Sequence, residues 1–153
     1  MEKLTEKEEK ELTAAAAKVR EKAHAPYSEF QVGAALLCKS GKVFTGCNVE
    51  NASYGLCICA ERGAVMAAVA AGERQFKGIV VITDAQPAAS PCGACRQFLV
   101  EFNPEMQVVS TNLQGERRSW SAAELLPGYF SFGENDDTEP DDETDPGDKR
   151  WGV

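Results

Sequence analysis

The chain has 153 residues, 43 % of them hydrophobic, with a formal net charge of −8. This length fits one domain with a single core, and no apolar run is long enough to cross a bilayer. Residues 134–153 hold nine acidic and two basic residues, a net charge of −7, which leaves −1 for the rest. A nearly neutral body with an acidic tail is a poor match for nucleic acid and fits a small-molecule partner better.

In chain order, the sequence pattern of the first half of the chain predicts a helix, a β-hairpin and a second helix. Apolar residues at helical spacing predict an amphipathic helix from about Thr5 to His24. The run from Phe30 to Leu37 predicts a strand, and Lys42–Cys47 predicts its hairpin partner across a Ser-Gly turn. A helix from about Cys57 to Ala71 is apolar nearly all round after Gly63, so we expect it to be buried.

The second half predicts a strand, a helix, two more strands and a short last helix. Gly78–Thr83 is a continuous β-branched run, typical of a central strand covered on both faces. A helix from about Cys92 to Phe102 follows, and then strands at 106–111 and 116–120, before Ser121 caps the last helix. The link between the last two strands is too short for a parallel crossover, so that pair should be antiparallel. The pattern predicts an α/β fold, a three-layer α-β-α sandwich around one mixed five-stranded sheet.

The domain organisation follows from composition. We expect residues 1–133 to form a single domain and 134–153 an acidic, disordered tail, because that tail cannot bury a core. Trp151 is the one residue that does not fit a purely solvated tail. The charged N-terminus lacks an apolar signal core, so we expect a cytoplasmic location.

Six cysteines need an explanation, and three of them fall in two motifs at predicted helix starts. These motifs are Cys59-Ala60-Glu61 and Pro91-Cys92-Gly93-Ala94-Cys95. Helix N-termini favour thiolates over thiols, and the two helices flank the same central strand. Three thiolates would leave the fourth position of a tetrahedral zinc ion open to water, which is the arrangement of a catalytic site. Glu61 lies close enough in sequence to carry protons for that water without being a ligand.

Several alternatives remain at this point. The six cysteines allow three disulfides, and Cys92 and Cys95 alone fit a redox dithiol or half of a structural zinc site. Cys57 supplies a possible fourth thiol that would close the site. Arg62 either offsets the negative charge of the thiolates or is an ordinary surface arginine.

These motifs resemble those of the cytidine deaminase family, in its small homotetrameric form. The resemblance extends from about Tyr27 to Phe130. It includes Ala25-Pro26-Tyr27-Ser28, Phe30-Gln31-Val32-Gly33-Ala34, Gly46-Cys47-Asn48-Val49-Glu50-Asn51 and Glu124-Leu125-Leu126-Pro127. The Cys₃ form of the zinc deaminase site is a known variant of that class.

The resemblance implies a role for each matching position. One Zn²⁺ per chain would be held by Cys59, Cys92 and Cys95, with Glu61 as the proton shuttle. The positions implied to contact substrate are Phe30 near the pyrimidine, Asn48 and Glu50 at the sugar hydroxyls, the backbone of Ala60 at the base edge, and Tyr54 and Phe130 in a neighbouring subunit's site. Loop capping is the competing account of Asn48 and Glu50, and core packing that of Phe130.

The implied activity is hydrolytic deamination of free cytidine and deoxycytidine in pyrimidine salvage. Hydroxide from the zinc site would add to C4 while Glu61 handles each proton, and the active sites would be shared within a homotetramer. A blasticidin-S-type deaminase is a rival, disfavoured by the intact sugar-binding segment. Polynucleotide deaminases usually have histidine where this chain has Cys59. A zinc-stabilised interaction module without activity is the rival from another class.

Overall fold

The computed structural model describes residues 2–132, so the predicted boundary at 133 and the acidic tail with Trp151 lie outside the described residues. The helices are α1 (Glu6–Arg20), α2 (Ala60–Ala70), α3 (Gly93–Val100) and α4 (Ala122–Leu125). The strands are β1 (Gly33–Cys38), β2 (Val43–Cys47), β3 (Phe76–Thr83), β4 (Gln107–Asn112) and β5 (Arg117–Ser121). None of the helices between residues 2 and 132 is both long and apolar enough to cross a membrane.

The five strands form one mixed sheet in the order β2-β1-β3-β4-β5. β1 pairs antiparallel with β2 and β3, β3 pairs parallel with β4, and β4 pairs antiparallel with β5. The predicted mixed sheet and the antiparallel last pair are therefore confirmed. β3 is central, and all of its residues but one are buried, as its β-branched sequence predicts.

Helices cover both faces of the sheet, which gives two separate cores and confirms the three-layer prediction. α1 packs on one face, where the buried residues are Leu4, Leu12, Ala16, Ala35, Leu37, Val80, Ile82 and Val109. α2 and α3 pack on the other face, where the buried residues include Leu36, Ala64, Val65, Ile79, Val81, Leu99 and Val108.

Hydrogen bonds explain why the first strand and the first helix are shorter than predicted. The first strand begins at Gly33 and not at Phe30, because the Asn48 side chain bonds the backbone of residues 30 and 32. α1 ends at Arg20 and not at His24, since the backbone of His24 pairs with the segment 48–50 instead.

The second helix starts three residues later than predicted, whereas the third starts close to the predicted Cys92, and in both cases a cysteine is the N-cap. Cys59 and Cys92 have extended backbone conformations immediately before α2 and α3. An N-cap residue lies at the helix end where backbone N–H groups have no intrahelical acceptor. Both sulfur atoms therefore sit at the positive end of a helix dipole.

Candidate metal centre and substrate site

Three sulfur atoms converge where α2 and α3 begin. α2 leads by a short loop into the start of β3, and α3 follows the end of β3, so both helix N-termini lie near the end of that strand. The sulfur atoms of Cys59, Cys92 and Cys95 all lie within 4.8 Å of one another, and those of Cys59 and Cys92 are 3.8 Å apart. All six cysteines are free, so the alternative of three disulfides is wrong.

Cys57 does not join this cluster. Its sulfur lies 3.4 Å from the backbone nitrogen of Asn51 and 3.7 Å from the oxygen of the same residue. Within residues 2–132, the metal-ligand cluster consists of Cys59, Cys92 and Cys95 alone. The described residues therefore do not form the closed four-cysteine site.

The spacing of the sulfur atoms fits zinc. In a tetrahedral site, Zn–S distances of about 2.3 Å place two sulfur ligands about 3.8 Å apart. The sulfur atoms of Cys59 and Cys92 have this separation. Three cysteine ligands suit zinc chemically and leave one coordination position for water or substrate.

The electrostatics of the cluster favour a thiolate at Cys59. Hydrogen bonds from Cys95, Arg62 and Cys92, against the effect of burial, lower the pKa of the Cys59 thiol to about 5. The hydrogen bond to Cys59 in turn raises the pKa of Cys95, which burial raises further.

Arg62 is the cation at this site. Its Nη2 donates to the Cys59 sulfur at 3.5 Å and to the Cys57 carbonyl at 3.4 Å. Contact with the Cys59 sulfur raises the pKa of the Arg62 guanidinium, so the group stays charged. Among the described residues, the buried Nε of Arg62 has no hydrogen-bond acceptor.

Glu61 occupies the first turn of α2 and is 5 % exposed. Burial raises the pKa of its carboxyl group, and the charge of Cys59 acts in the same direction. A carboxyl group with a raised pKa can hold a proton at a higher pH than an exposed glutamate, which suits proton transfer.

Asn48 and Glu50 follow β2 and organise the loop that precedes β1. The Asn48 amide donates to the Phe30 carbonyl and accepts from the Val32 N–H, both at 2.8 Å. The Glu50 carboxylate accepts from the backbone N–H groups of Tyr27 and Ser28 and from the Ser28 hydroxyl. These bonds lower the pKa of Glu50, with the Ser28 hydroxyl as the largest cause. Asn48 and Glu50 therefore both make the loop-capping contacts that were the alternative to sugar binding.

Tyr54 and Phe130 both lie on the surface. Their exposed fractions are 73 % and 64 %, so the core-packing account of Phe130 is wrong. Tyr54 stacks edge-on against Tyr27 with ring centroids 5.9 Å apart, and Phe130 packs against Phe132. Tyr54, Tyr27, Ser28, Glu50 and Cys57 line an open groove of about 280 Å³.

Comparison with protein families identifies the chain. Residues 6–111 match the model of the cytidine and deoxycytidylate deaminase zinc-binding region. The chain belongs to this deaminase family. It is a hydrolytic enzyme that binds zinc, and Cys59, Cys92 and Cys95 form the metal-binding group.

Individual members of the deaminase family are similar over most of their length. A cytidine deaminase from Sporosarcina psychrophila is 50 % identical over 121 residues, which cover 78 % of this chain and 89 % of the relative. One from Halalkalibacterium halodurans is 50 % identical over 117 residues, with 76 % and 89 % covered. The crystal structure of a cytidine deaminase from Burkholderia pseudomallei superposes with a TM-score of 0.79 at 53 % identity, covering 83 % of this chain and all of that one.

Sequence reasoning gave no role to two side chains near the deaminase site. The Ser28 hydroxyl donates to Glu50, and Arg96 donates to the backbone carbonyls of Pro91 and Leu125. Both were visible in the sequence, since Ser28 follows Pro26-Tyr27 and Arg96 follows Cys95 directly. Neither partner could be found by spacing, because Glu50 lies 22 residues from Ser28 and Leu125 lies 29 residues from Arg96.

Proposed function

We propose that the protein deaminates free cytidine and deoxycytidine, giving uridine or deoxyuridine and ammonia, in pyrimidine salvage. The observation that carries the proposal is the placement of a buried Glu61 in the helical turn that follows the sulfur ligand Cys59. The similarity to proteins named cytidine deaminases supports a cytosine nucleoside as substrate. A cytoplasmic location suits a site built from three reduced thiols.

Glu61 is proposed to manage the protons of the reaction. When bound, zinc lowers the pKa of water and makes a nucleophile available near neutral pH. Glu61 accepts a proton from the attacking water and delivers it to N3 of the base as the new bond forms at C4. It then takes the proton of the new C4 hydroxyl and passes it to the amino group, so that the uracil carbonyl forms as the C–N bond breaks and ammonia leaves. Its buried position excludes competing water from this proton path.

Arg62 is proposed to set the charge of the centre. Three thiolates around Zn²⁺ leave a net charge of −1, which opposes ionisation of water at the metal. The guanidinium contact with the Cys59 sulfur withdraws negative charge from that ligand. Arg62 therefore keeps the centre electrophilic enough for chemistry near neutral pH.

Phe30, Asn48, Glu50 and Ala60 are proposed to hold the nucleoside. Glu50 retains unused lone pairs after its bonds to Ser28 and Tyr27, and these can accept from a sugar hydroxyl. Asn48 retains a second amide hydrogen after its bond to Phe30. The N–H of Ala60, at the first position of α2, lacks an intrahelical acceptor and can bind the base edge.

We further propose a homotetramer in which Tyr54 and Phe130 enter a neighbouring subunit's site. The groove beside Tyr54 is smaller than most small-molecule pockets and is open to solvent. A bound small molecule is normally mostly enclosed, so a second subunit would be needed to cover it here. Exposed rings at Tyr54, Phe130 and Phe132 supply an apolar surface for a second copy. Light scattering should give a mass of about 66 kDa, four times the 16.5 kDa chain. A mass of one chain would contradict shared sites.

The substrate proposal is tested with purified, zinc-loaded protein and three nucleosides. Cytidine and deoxycytidine should both be converted, with release of ammonia, and adenosine should not. The Cys92→Ser variant is the control for contaminating deaminases, because it loses a proposed ligand. No turnover of either cytosine nucleoside by protein with one zinc per chain would overturn the proposal.

A further inference from the structure

Arg96 in α3 joins three separate segments around the metal centre. Its Nε donates to the Pro91 carbonyl at 2.7 Å, and its Nη2 donates to the Ser90 hydroxyl at 3.1 Å. Its Nη1 donates to the carbonyl of Leu125, at the end of α4, at 2.7 Å. One guanidinium therefore connects the loop before Cys92, the helix after it and the last helix of the described chain.

The connection matters because Cys92 lies outside the helix, at its exposed N-cap. Cys92 is exposed and precedes the helix, whereas Cys95 is fully buried inside the first turn. The peptide group before Cys92 carries the Pro91 carbonyl, so the bond from Arg96 fixes the orientation of that peptide. Arginine suits this task, since its planar group holds several donors in a rigid arrangement that lysine lacks.

α4 supplies an anchor for the same guanidinium. α4 begins with a capping box, in which Ser121 and Glu124 each bond the other's backbone N–H. Its buried residues Ala122 and Leu125 fix it against the core. The bond to the Leu125 carbonyl therefore ties Arg96 to an element that is itself held in place.

We propose that Arg96 is a positioning residue for the zinc ligand Cys92. It holds the 90–92 turn against α3 and α4, so that the Cys92 sulfur stays close enough to the Cys59 sulfur for both to bind one zinc ion. The proposal rests on the role of Cys92 as a zinc ligand and does not depend on which nucleoside is the substrate. Residues that orient metal ligands typically change metal affinity about 10- to 100-fold when they are mutated.

The test is the rate of zinc release to a chromophoric chelator from the zinc-loaded protein, well below the unfolding temperature. Arg96→Ala should release zinc at least about 10-fold faster than the parent. Arg96→Lys should fall between the two, because one ammonium group cannot span all three acceptors. If Arg96→Ala does not fold, the test rests on Arg96→Lys alone. Zinc release from Arg96→Lys at the parent's rate would then overturn the proposal.

Two matched variants separate positioning from loss of stability. Arg74→Ala removes an arginine that bonds the carbonyls of Val69 and Glu73 at the far end of α2. Gln97→Ala removes the neighbouring side chain, which bonds the Phe130 carbonyl and not the turn before Cys92. Both should release zinc at the parent's rate, even if their unfolding temperatures fall as much as that of Arg96→Ala. Equal acceleration in all three variants would show that Arg96 contributes only to general stability and would overturn the proposal.

Discussion

The sulfur atoms of Cys59 and Cys92 lie 3.8 Å apart, although the two residues are 33 positions apart in the chain. Each caps a different helix, and the two helices meet near the end of β3. The separation is close to the distance that a tetrahedral zinc ion imposes on two sulfur ligands. The metal centre is therefore a product of how α2 and α3 pack beside one strand.

Zinc binding should depend on the cysteines of the cluster and not on their neighbour. Cys95→Ser should lose most bound zinc, because a hydroxyl is a much poorer zinc ligand than a thiolate. Cys57→Ser is the matched control, since its sulfur bonds the backbone of Asn51 and is not part of the cluster, and it should keep one zinc per chain. Metal analysis after exhaustive dialysis measures both. Equal loss of zinc from the two variants would reinstate a four-cysteine site.

The close approach of β2 to α2 should make two facing glycines respond in opposite ways. A Cβ at Gly46 would overlap the backbone of Ala60 and Ala64, so Gly46→Ala should lower the free energy of unfolding by about 3 kcal/mol and reduce activity. A Cβ at Gly63 would lie 3.6 Å from the Gly46 Cα, an ordinary contact. Gly63→Ala should therefore be neutral or stabilise by up to about 1 kcal/mol. Urea unfolding would distinguish these results, and similar losses in both variants would contradict the packing described here.

The ion pair between Lys77 and Glu8 should make stability depend on pH. The hydrogen bond from Lys77 is the largest cause of the lowered pKa of Glu8. Because the folded pKa is below the unfolded value, the stabilisation is complete above about pH 4.3 and disappears as the pH falls through the folded pKa.

The measurement for this pair is urea unfolding of Lys77→Met between pH 3 and pH 7. The variant should lose about 1 kcal/mol at pH 7 and progressively less below pH 4. Lys7→Met is the control, because the pair of Lys7 and Glu11 is far more exposed. A loss that stays constant with pH would mean that the charge of Glu8 is not involved.

If Glu50 contacts the sugar, its substitution should weaken the preference for a substrate with a 3′-hydroxyl over one without it. The parent should strongly prefer deoxycytidine over a dideoxy analogue that lacks the sugar 3′-hydroxyl, because the analogue leaves a polar group of the site unpaired. Glu50→Gln should narrow the ratio of kcat/KM for the two substrates. Ser28→Ala, which removes the hydroxyl that bonds Glu50, should narrow it less. An unchanged ratio in Glu50→Gln would limit this residue to holding the loop at Tyr27 and Ser28.

The fold was predictable where local sequence dictates local structure. The β-branched run at Gly78–Thr83 correctly predicted the buried central strand, and the four-residue link after β4 correctly predicted the antiparallel last pair. The zinc ligands were predictable because two cysteine motifs at helix starts point to one metal chemistry.

Contacts between distant segments could not be read from the sequence. The bonds from Asn48 to Phe30 and Val32 shorten the first strand, but no periodicity reveals that an amide will displace strand pairing. The acceptors of Arg96 lie in the turn at Ser90 and Pro91 and at the end of α4, and only folding brings the Leu125 carbonyl close to that turn. Both cases depend on tertiary packing, which overrides local preference.

Proton transfer by Glu61 is tested by the turnover of cytidine by the Glu61→Gln variant, measured together with its zinc content. Glutamine keeps the shape of the side chain and removes its ability to carry a proton. We expect one zinc per chain, an unchanged unfolding temperature and a kcat lower by roughly 10²- to 10⁴-fold. Uridine formation at the parent's rate by the zinc-loaded variant would contradict the assignment of proton transfer to Glu61.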